Sequence, residues 1–379
     1  MKNLCARLMC TLLAAQTALF GGALADEITL AISEPPAVAT QAPEEEVSFE
    51  LISAEKDAEE PTAEPTEPTS ETADEAPGDA ARVTEDEAAP GVTSKSMSLS
   101  DIAEGEVIYQ DYDNGYWFYS DSEQNIRVEI RRHEDESIQL IWYEADLQYD
   151  TQTPMTLYAA NPEKPGKGFK YAERISRDNK IVFAMNDDQC GHRIYNHQTV
   201  GVIVRDGQIV SNKTKRSGNN AIPNLDVGAL FEDGTMKVFQ SKDYTAQEYI
   251  DMGCQNTLSF GPYIVRDGVV NPVFDSKYRV REPRIALGMI APRHYMVILC
   301  EGRTSRSQGV GLKWLGEKML SLGVTQCINL DGGETACILF MGRRLEYTNP
   351  EGKFRLERSL SGMIGLGHCE QVPEFSEED

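Results

Sequence analysis

Between Asp26 and Lys95 the chain sets 20 acidic residues against three basic ones, among Pro, Ala and Thr, as in Glu64-Pro65-Thr66-Glu67-Pro68. Such a stretch has too little apolar surface to offset the ~1–2 kcal/mol per residue that ordering a backbone costs. Residues 26–95 therefore read as a disordered acidic Pro/Glu/Thr linker, and any fold is confined to the residues beyond Lys95. The linker also accounts for 17 of the 25 net negative charges. The rest of the chain is only mildly negative and has no basic stripe with interleaved aromatics, which argues against a nucleic-acid partner.

Ahead of the linker, Lys2 and Arg7 precede an apolar run from Leu8 to Leu24 that closes on Ala23-Leu24-Ala25. These are the parts of a secretory signal peptide over residues 1–25, so the protein is expected outside the cytoplasm, secreted or in the cell envelope. Gln16, Thr17, Gly21 and Gly22 interrupt the run, and its length is marginal for a full span. Left uncleaved, the same segment would associate the protein with the envelope. Residues 100–369 are long enough for one large domain, and residues 370–379 form an acidic tail. Cys190, Cys254, Cys300, Cys327, Cys337 and Cys369 follow the signal without a CxxC pair. Several sit in apolar strand-like runs, so buried free thiols are expected, with no zinc site.

The folded part begins with strand patterns at Tyr116–Tyr119, Ile126–Ile130 and Ile138–Tyr143, which predict an antiparallel lead-in sheet. Ile181–Met185 is a buried strand that stops at Asn186-Asp187-Asp188. Asp206-Gly207, Asp233-Gly234 and Asp267-Gly268 each lie between alternating apolar segments, and Asp-Gly supplies the positive φ angles of two-residue hairpin turns. Thr245 and Glu248 have capping-box spacing before a short helix that Gly253 can close. Further on, Tyr295–Cys300 reads as a strand, 311–322 as a helix with Leu312, Leu315, Met319 and Leu322 on one face, and Cys327–Leu330 as another strand. That unit predicts parallel strands whose following loops, Glu301-Gly302-Arg303 and Asp331-Gly332-Gly333-Glu334, open on one sheet edge. The expected fold class is α+β, with mixed sheets and one parallel strand-helix-strand crossover, a single catalytic-type domain after the linker.

Ligands of open sheets tend to bind beyond strand carboxyl ends, which brings Arg303 and Asp331 into one candidate site. Asp331 is a carboxylate directly after an apolar strand, and Gly332-Gly333 lets a backbone approach an anion closely. Taken alone, Asp-Gly-Gly is equally a turn. Arg284-Ile285-Ala286-Leu287-Gly288, then Glu301-Gly302-Arg303, the helix between Gly309 and Gly323, and Asn329-Leu330-Asp331-Gly332-Gly333 together form an ordered pattern. In order and spacing it resembles the phosphodiester glycosidase family. Upstream, the strand ending at Asn186 and the hairpin from Gly201 to Gly207 fit the same resemblance. One departure stands out: many members continue with a third glycine and a serine, where this chain has Glu334-Thr335.

The resemblance implies hydrolysis of a sugar joined through its anomeric carbon to a phosphodiester, with a phosphorylated carbohydrate of the envelope or extracellular space as substrate and no cofactor. Asp331 would face the oxocarbenium-like centre, with Asp188 as a second carboxylate. Arg284 and Arg303 would take the phosphate oxygens, supported by the amides of Gly332 and Gly333. Asn186 would bind sugar hydroxyls, and Glu334 would stand at the substrate. Two other readings stay open: a non-catalytic binding module for phosphorylated glycans, and a metal-dependent phosphodiesterase. For the latter, Asp187, Asp188, His192 and His197 are the ligand candidates, although their spacing matches no standard zinc pattern. Arg358 lies in a closing core-strand phrase and could reach an anion.

Overall fold

The computed structural model describes residue 99 and residues 102–151, 153–165, 167–188, 200–213, 225–346 and 358–376. The signal segment, the linker, Cys190, His192, His197 and the last three residues of the tail lie outside the described residues.

The chain runs through Glu106–Asp111 (β1), Tyr116–Asp121 (β2), Ile126–Asp135 (β3), Leu140–Tyr149 (β4) and Thr156–Ala159 (β5). Helix Ala172–Asp178 (α1) leads into Ile181–Asn186 (β6), followed by Gly201–Arg205 (β7), Gln208–Lys213 (β8), Asp226–Phe231 (β9) and Met236–Phe239 (β10). After helix Ala246–Asp251 (α2) come Cys254–Phe260 (β11), Tyr263–Arg266 (β12), Val269–Val270 (β13), Arg284–Ala291 (β14) and His294–Cys300 (β15). Helix Leu312–Ser321 (α3) precedes Gln326–Asn329 (β16), Ile338–Phe340 (β17), Arg343–Arg344 (β18) and Gly362–His368 (β19).

Two main sheets result, one of nine strands in the order β1-β2-β3-β4-β15-β14-β16-β12-β13 and one of five in the order β18-β17-β6-β19-β5. The alternation of β15 explains how they stack. Tyr295, Val297 and Leu299 point into the core shared with Phe183, Met185, Ile338, Phe340, Ile364 and Leu366 of the smaller sheet. Met296, Ile298 and Cys300 point the other way, onto Leu312, Leu315 and Met319 of α3. On the far face of the five-stranded sheet, Ala184 and Leu339 pack against Ala172 and Ile175 of α1. The layers are therefore helix, sheet, sheet, helix. A ten-residue helix such as α3 is marginal by itself, and its buried apolar side chains, each contributing about 1.5–3 kcal/mol, hold it in place. A smaller layer of β10-β9-β11 and the β7-β8 hairpin packs around Val202, Val204, Val227 and Tyr249.

The three Asp-Gly pairs sit at the turns of β7-β8, β9-β10 and β12-β13, with Asp206 and Asp267 at φ 49° and 51°. Thr245 caps α2 in a complete capping box with Glu248. Cys254, Cys300, Cys327 and Cys369 are free and buried, and Cys337 is buried as well.

The two strands that flank α3 do not pair with each other, so the expected crossover carries no parallel ladder. Every ladder between the described strands is antiparallel. The helix after β15 does not lead to a neighbouring strand, because β14, supplied from earlier in the chain, lies between β15 and β16 and pairs antiparallel with both. The register still gathers one edge. Arg284 at the start of β14 stands opposite Cys300 at the end of β15, and Ala286 stands opposite Asn329 at the end of β16.

On the α3 side of the large sheet, Glu144 accepts from Lys318 Nζ at 2.7 Å and Trp142 Nε1 at 2.8 Å and lies 3.5 Å from His133 Nε2. Burial opposes ionisation of this carboxyl, but the bonds from His133, Lys318 and Trp142 outweigh it and bring its pKa from 4.5 down to about 2. A depressed carboxyl pKa stabilises the fold above the unfolded value, and that contribution fades as pH falls through the folded value. Glu144→Gln is accordingly expected to lower Tm at pH 7. The gap to the wild type should close as pH falls from about 4.5 toward about 2, which thermal melts across that range would check.

Candidate active site

The site is assembled where strand ends of the two main sheets meet, and a buried asparagine ties them together. Asn186, fully buried at the end of β6, donates through Nδ2 to the carbonyls of Asp187 at 3.1 Å and Asp331 at 3.0 Å. Its Oδ1 accepts from the Cys337 N–H at 3.0 Å. The side chain expected to meet sugar hydroxyls thus satisfies backbone groups, and its work is to hold the Asp331 turn against the end of β6. Asn329 does the same for the β16 end, donating to the Gly261 carbonyl at 2.9 Å.

The two glycines after Asp331 are needed for close approach. A Cβ on Gly332 would come within 2.5 Å of the Pro283 carbonyl oxygen. Gly333 has φ 60°, a left-handed conformation that favours glycine, and it lies in ordinary contact distance of the Arg303 guanidinium. Its N–H donates to the Pro283 carbonyl at 3.0 Å, so that amide is committed to the turn and does not face an anion. Only small residues bring Asp331 this close to the segment entering β14 and to the loop leaving β15.

Those two segments carry the arginines. Arg284 is half-buried; burial pushes its pKa down, partly offset by Glu282 and Cys300. Its Nε has no acceptor among the described residues, and its one hydrogen bond among them, from Nη2 to the Val280 carbonyl, is long at 3.5 Å. Arg303, at φ 63°, is exposed and donates through Nε to Glu282 at 2.8 Å. A left-handed backbone at a residue other than glycine is uncommon, and here it turns a guanidinium toward Gly333. The Arg303 guanidinium lies beside the glycine turn and the Arg284 backbone packs against Gly332, and guanidinium forks suit phosphate oxygens.

Arg358 joins the same edge from the segment before β19. It donates to Thr335 Oγ1 at 3.0 Å and to Glu334 Oε2 at 3.0 Å, so Glu334 stands at the site as one half of an ion pair. Asp188 is fully buried; Oδ1 accepts from Arg205 Nη2 at 2.8 Å and Oδ2 from the Ser259 N–H at 2.6 Å. Both oxygens are held by fixed partners, which suits an anchor better than the second catalytic carboxylate expected of it. Asp187, 6% exposed, lies beside it with Oδ2 3.9 Å from Arg205 Nη2.

The contacts of the glycine turn link Asn186, Asp331, Gly332, Gly333, Arg284 and Arg303, with Glu334 next in the chain, whereas Asp188, two residues after Asn186, is bonded to Arg205 and Ser259. The structure adds Arg205, which in the sequence is only part of a hairpin word, and it gives Arg358 a definite place. Among the described residues no three His, Cys, Asp or Glu side chains stand where one metal ion could be held. Nor is any helix among them long and apolar enough to cross a membrane.

Known proteins share parts of this chain. A family model described as phosphodiester glycosidase matches residues 178–366. The SPbeta prophage-derived uncharacterized protein YomE of Bacillus subtilis (strain 168) is 27% identical over 141 residues, which is 36% of this chain and only 21% of that protein's length. Among solved structures, the catalytic domain of zebrafish N-acetylglucosamine-1-phosphodiester alpha-N-acetylglucosaminidase, auto-inhibited by its pro-peptide, superposes with a TM-score of 0.50 at 19% identity, covering 65% of this chain and 83% of that one. That likeness is one of fold. A hypothetical protein from Synechocystis gives a TM-score of 0.43 at 12% identity, over 64% of this chain and 62% of the other.

Proposed function

Because the chain belongs, through residues 178–366, to the phosphodiester glycosidase family, we propose that it hydrolyses the bond between a sugar's anomeric carbon and the phosphodiester attached there. The observation that carries this reading is the closure of the Asp331-Gly332-Gly333 turn onto Arg284 and Arg303, with the Nε of half-buried Arg284 lacking an acceptor among the described residues. Carboxylate and guanidinium groups on one edge match the two charges of the transition state. Positive charge grows on the anomeric carbon and is met by Asp331. Negative charge grows on the departing phosphate oxygen and is met by Arg284 and Arg303. The carbon–oxygen bond breaks with its electron pair on the phosphate, water supplies the new oxygen and loses a proton, and the products are a free sugar and a phosphomonoester. The leaving group is already a weak base, so it needs charge stabilisation more than protonation. Glycans of the envelope or extracellular space are the substrates that the amino-terminal apolar segment favours. The experiment is release of free sugar by the intact protein from a panel of sugar-1-phosphodiesters; no release from any would sink the reading.

Glu334 sets the strength of phosphate capture in this scheme. Its carboxylate pairs with Arg358 and repels an incoming anion, and partly exposed ion pairs of this kind are worth about 0.2–1 kcal/mol. Glu334→Gln is expected to lower KM for a phosphodiester about two- to five-fold with kcat nearly unchanged. If kcat instead fell by about 100-fold or more, Glu334 would be an acid or base in the reaction.

A further inference from the structure

Upstream of Arg284 the chain carries a basic stretch to which the hydrolysis assigns no role. Residues 275–284 hold Lys277, Arg279, Arg281 and Arg284 against Asp275 and Glu282, and residues 302–313 hold Arg303, Arg306 and Lys313 with no acidic residue. Seven cations thus stand against two carboxylates in a chain that carries 25 net negative charges. We propose that these two segments form a track for the part of the substrate beyond the scissile phosphate, and that the substrate is a sugar polymer whose units are joined by repeated phosphodiesters.

Three observations carry the inference, which rests on the glycosidase reading for the place of the scissile phosphate. The first is that the two segments lie side by side. The Leu312 N–H donates to the Tyr278 carbonyl at 3.1 Å, Glu282 and Val310 exchange backbone bonds, and Arg281 Nε donates to the Gly309 carbonyl at 2.8 Å. Lys313 reaches Asp275 at 2.6 Å, and Arg303 reaches Glu282 at 2.8 Å. Glycines make the approach possible: a Cβ on Gly309 would fall 2.3 Å from the Glu282 carbonyl oxygen, and one on Gly302 would fall 2.7 Å from the Pro283 nitrogen. The cations of both segments therefore share one stretch of surface.

The second is that the outer cations have donors to offer. Lys277, Arg279, Arg303 and Lys313 are exposed. The Lys277 ammonium has no hydrogen-bond or ion-pair partner among the described residues, and Arg279 uses only Nη2, on the Asp275 carbonyl. Two cations are taken up by other work. The Arg281 guanidinium binds the carbonyls of Ile138, Gln139 and Gly309 and Gln308 Oε1, so it fastens the track, and Arg306 is paired with Glu134.

The third is direction. The stretch leads from Arg284, packed on the glycine turn, back to Lys277, and a segment of that length spans at most about 25 Å. A chain with its scissile phosphate at Arg284 and Arg303 would lay its next phosphates toward Arg279 and Lys277. Charge attraction is screened beyond about 8–10 Å at physiological salt, so it is these local cations, and not the acidic chain as a whole, that such a polyanion meets. Tyr278 is the one aromatic residue in the two segments. Successive bases of a nucleic acid need a row of stacking partners, so the surface suits a sugar-phosphate chain better.

The test measures binding of glycerol-phosphate oligomers with one, three and eight phosphodiesters to the intact protein, by calorimetry or ligand-observed NMR. The longest should bind at least about tenfold tighter than the shortest, and its advantage should shrink as salt rises. Lys277→Gln combined with Arg279→Gln, at two exposed positions, should weaken the longest oligomer about fivefold or more and leave the shortest within about twofold. The same loss of charge at exposed Lys237 and Arg343, on β10 and β18, should change neither. No binding of the longest oligomer, affinity independent of length, or a double variant that keeps the whole advantage would overturn the proposal. So would tighter binding of single-stranded DNA with the same number of phosphates, which would assign the track to a nucleic acid. Glycerol phosphate has no anomeric carbon, so failure here is separable from failure of the hydrolysis assay.

Discussion

Asp331→Asn is expected to reduce kcat for a sugar-1-phosphodiester on the order of 10³-fold or more, with little change in the affinity for inorganic phosphate. The substitution is nearly isosteric and removes a charge without removing volume. Asp331 is 9% exposed, and its main chain is held by the Asn186 amide and by the glycine turn packed on Pro283, so the loop should keep its place. A carboxylate that offsets developing positive charge in a poorly solvated site does work that a neutral amide cannot. Free-sugar release compared with phosphate binding separates the two contributions. Loss of both would mean that the turn had collapsed, and activity within tenfold of wild type would move the central role to another residue.

Arg205→Met is expected to be the most damaging change to stability at the site, costing about 3–5 kcal/mol. Asp188 is fully buried and is ion-paired with Arg205 at 2.8 Å. Removing the guanidinium takes a counter-charge away from a buried carboxylate, and it also frees the carbonyls of Val204 and Thr257 that the same side chain binds. For a domain of this size that is a fall in Tm of roughly 10 °C or more. Adding Asp188→Asn should recover a large part of the loss, because the amide oxygen still serves the Ser259 N–H and the buried charge is gone. Thermal or denaturant unfolding of the two single variants and the double variant gives the coupling energy directly. Strict additivity would contradict the pairing.

Arg205 also shows where sequence reading stops. The words Ile203-Val204-Arg205-Asp206-Gly207 and Ile264-Val265-Arg266-Asp267-Gly268 are identical, and both make the expected hairpin turn with Asp at positive φ. Local backbone chemistry decides that much. Arg205 then reaches Asp188, while Arg266 stacks over Tyr263 at 4.3 Å, and nothing within either word distinguishes the two fates. The continuous apolar run Tyr295–Cys300 likewise foretold β15 and helical spacing foretold α3, but the position of β14 between β15 and β16 depends on pairing between distant segments. The Arg284, Arg303 and Asp331 grouping was legible because strand ends and glycine turns mark a sheet edge. The clamp by Asn186 was not, since its partner Asp331 lies 145 residues away and a buried amide bonded to backbone has the same letter as one that binds sugar. The Glu334–Arg358 pair is a similar case, joining residues 24 apart across the turn.

The central claim is that the bond broken is carbon to oxygen at the anomeric centre. It is tested most directly by running the hydrolysis of a sugar-1-phosphodiester in heavy-oxygen water and locating the label by mass spectrometry. Label in the released sugar, with unlabelled phosphomonoester, is the result expected from attack at the anomeric carbon beside Asp331. Label in the phosphate and none in the sugar would mean phosphorus-to-oxygen cleavage, and would contradict the roles of Asp331 and the two arginines.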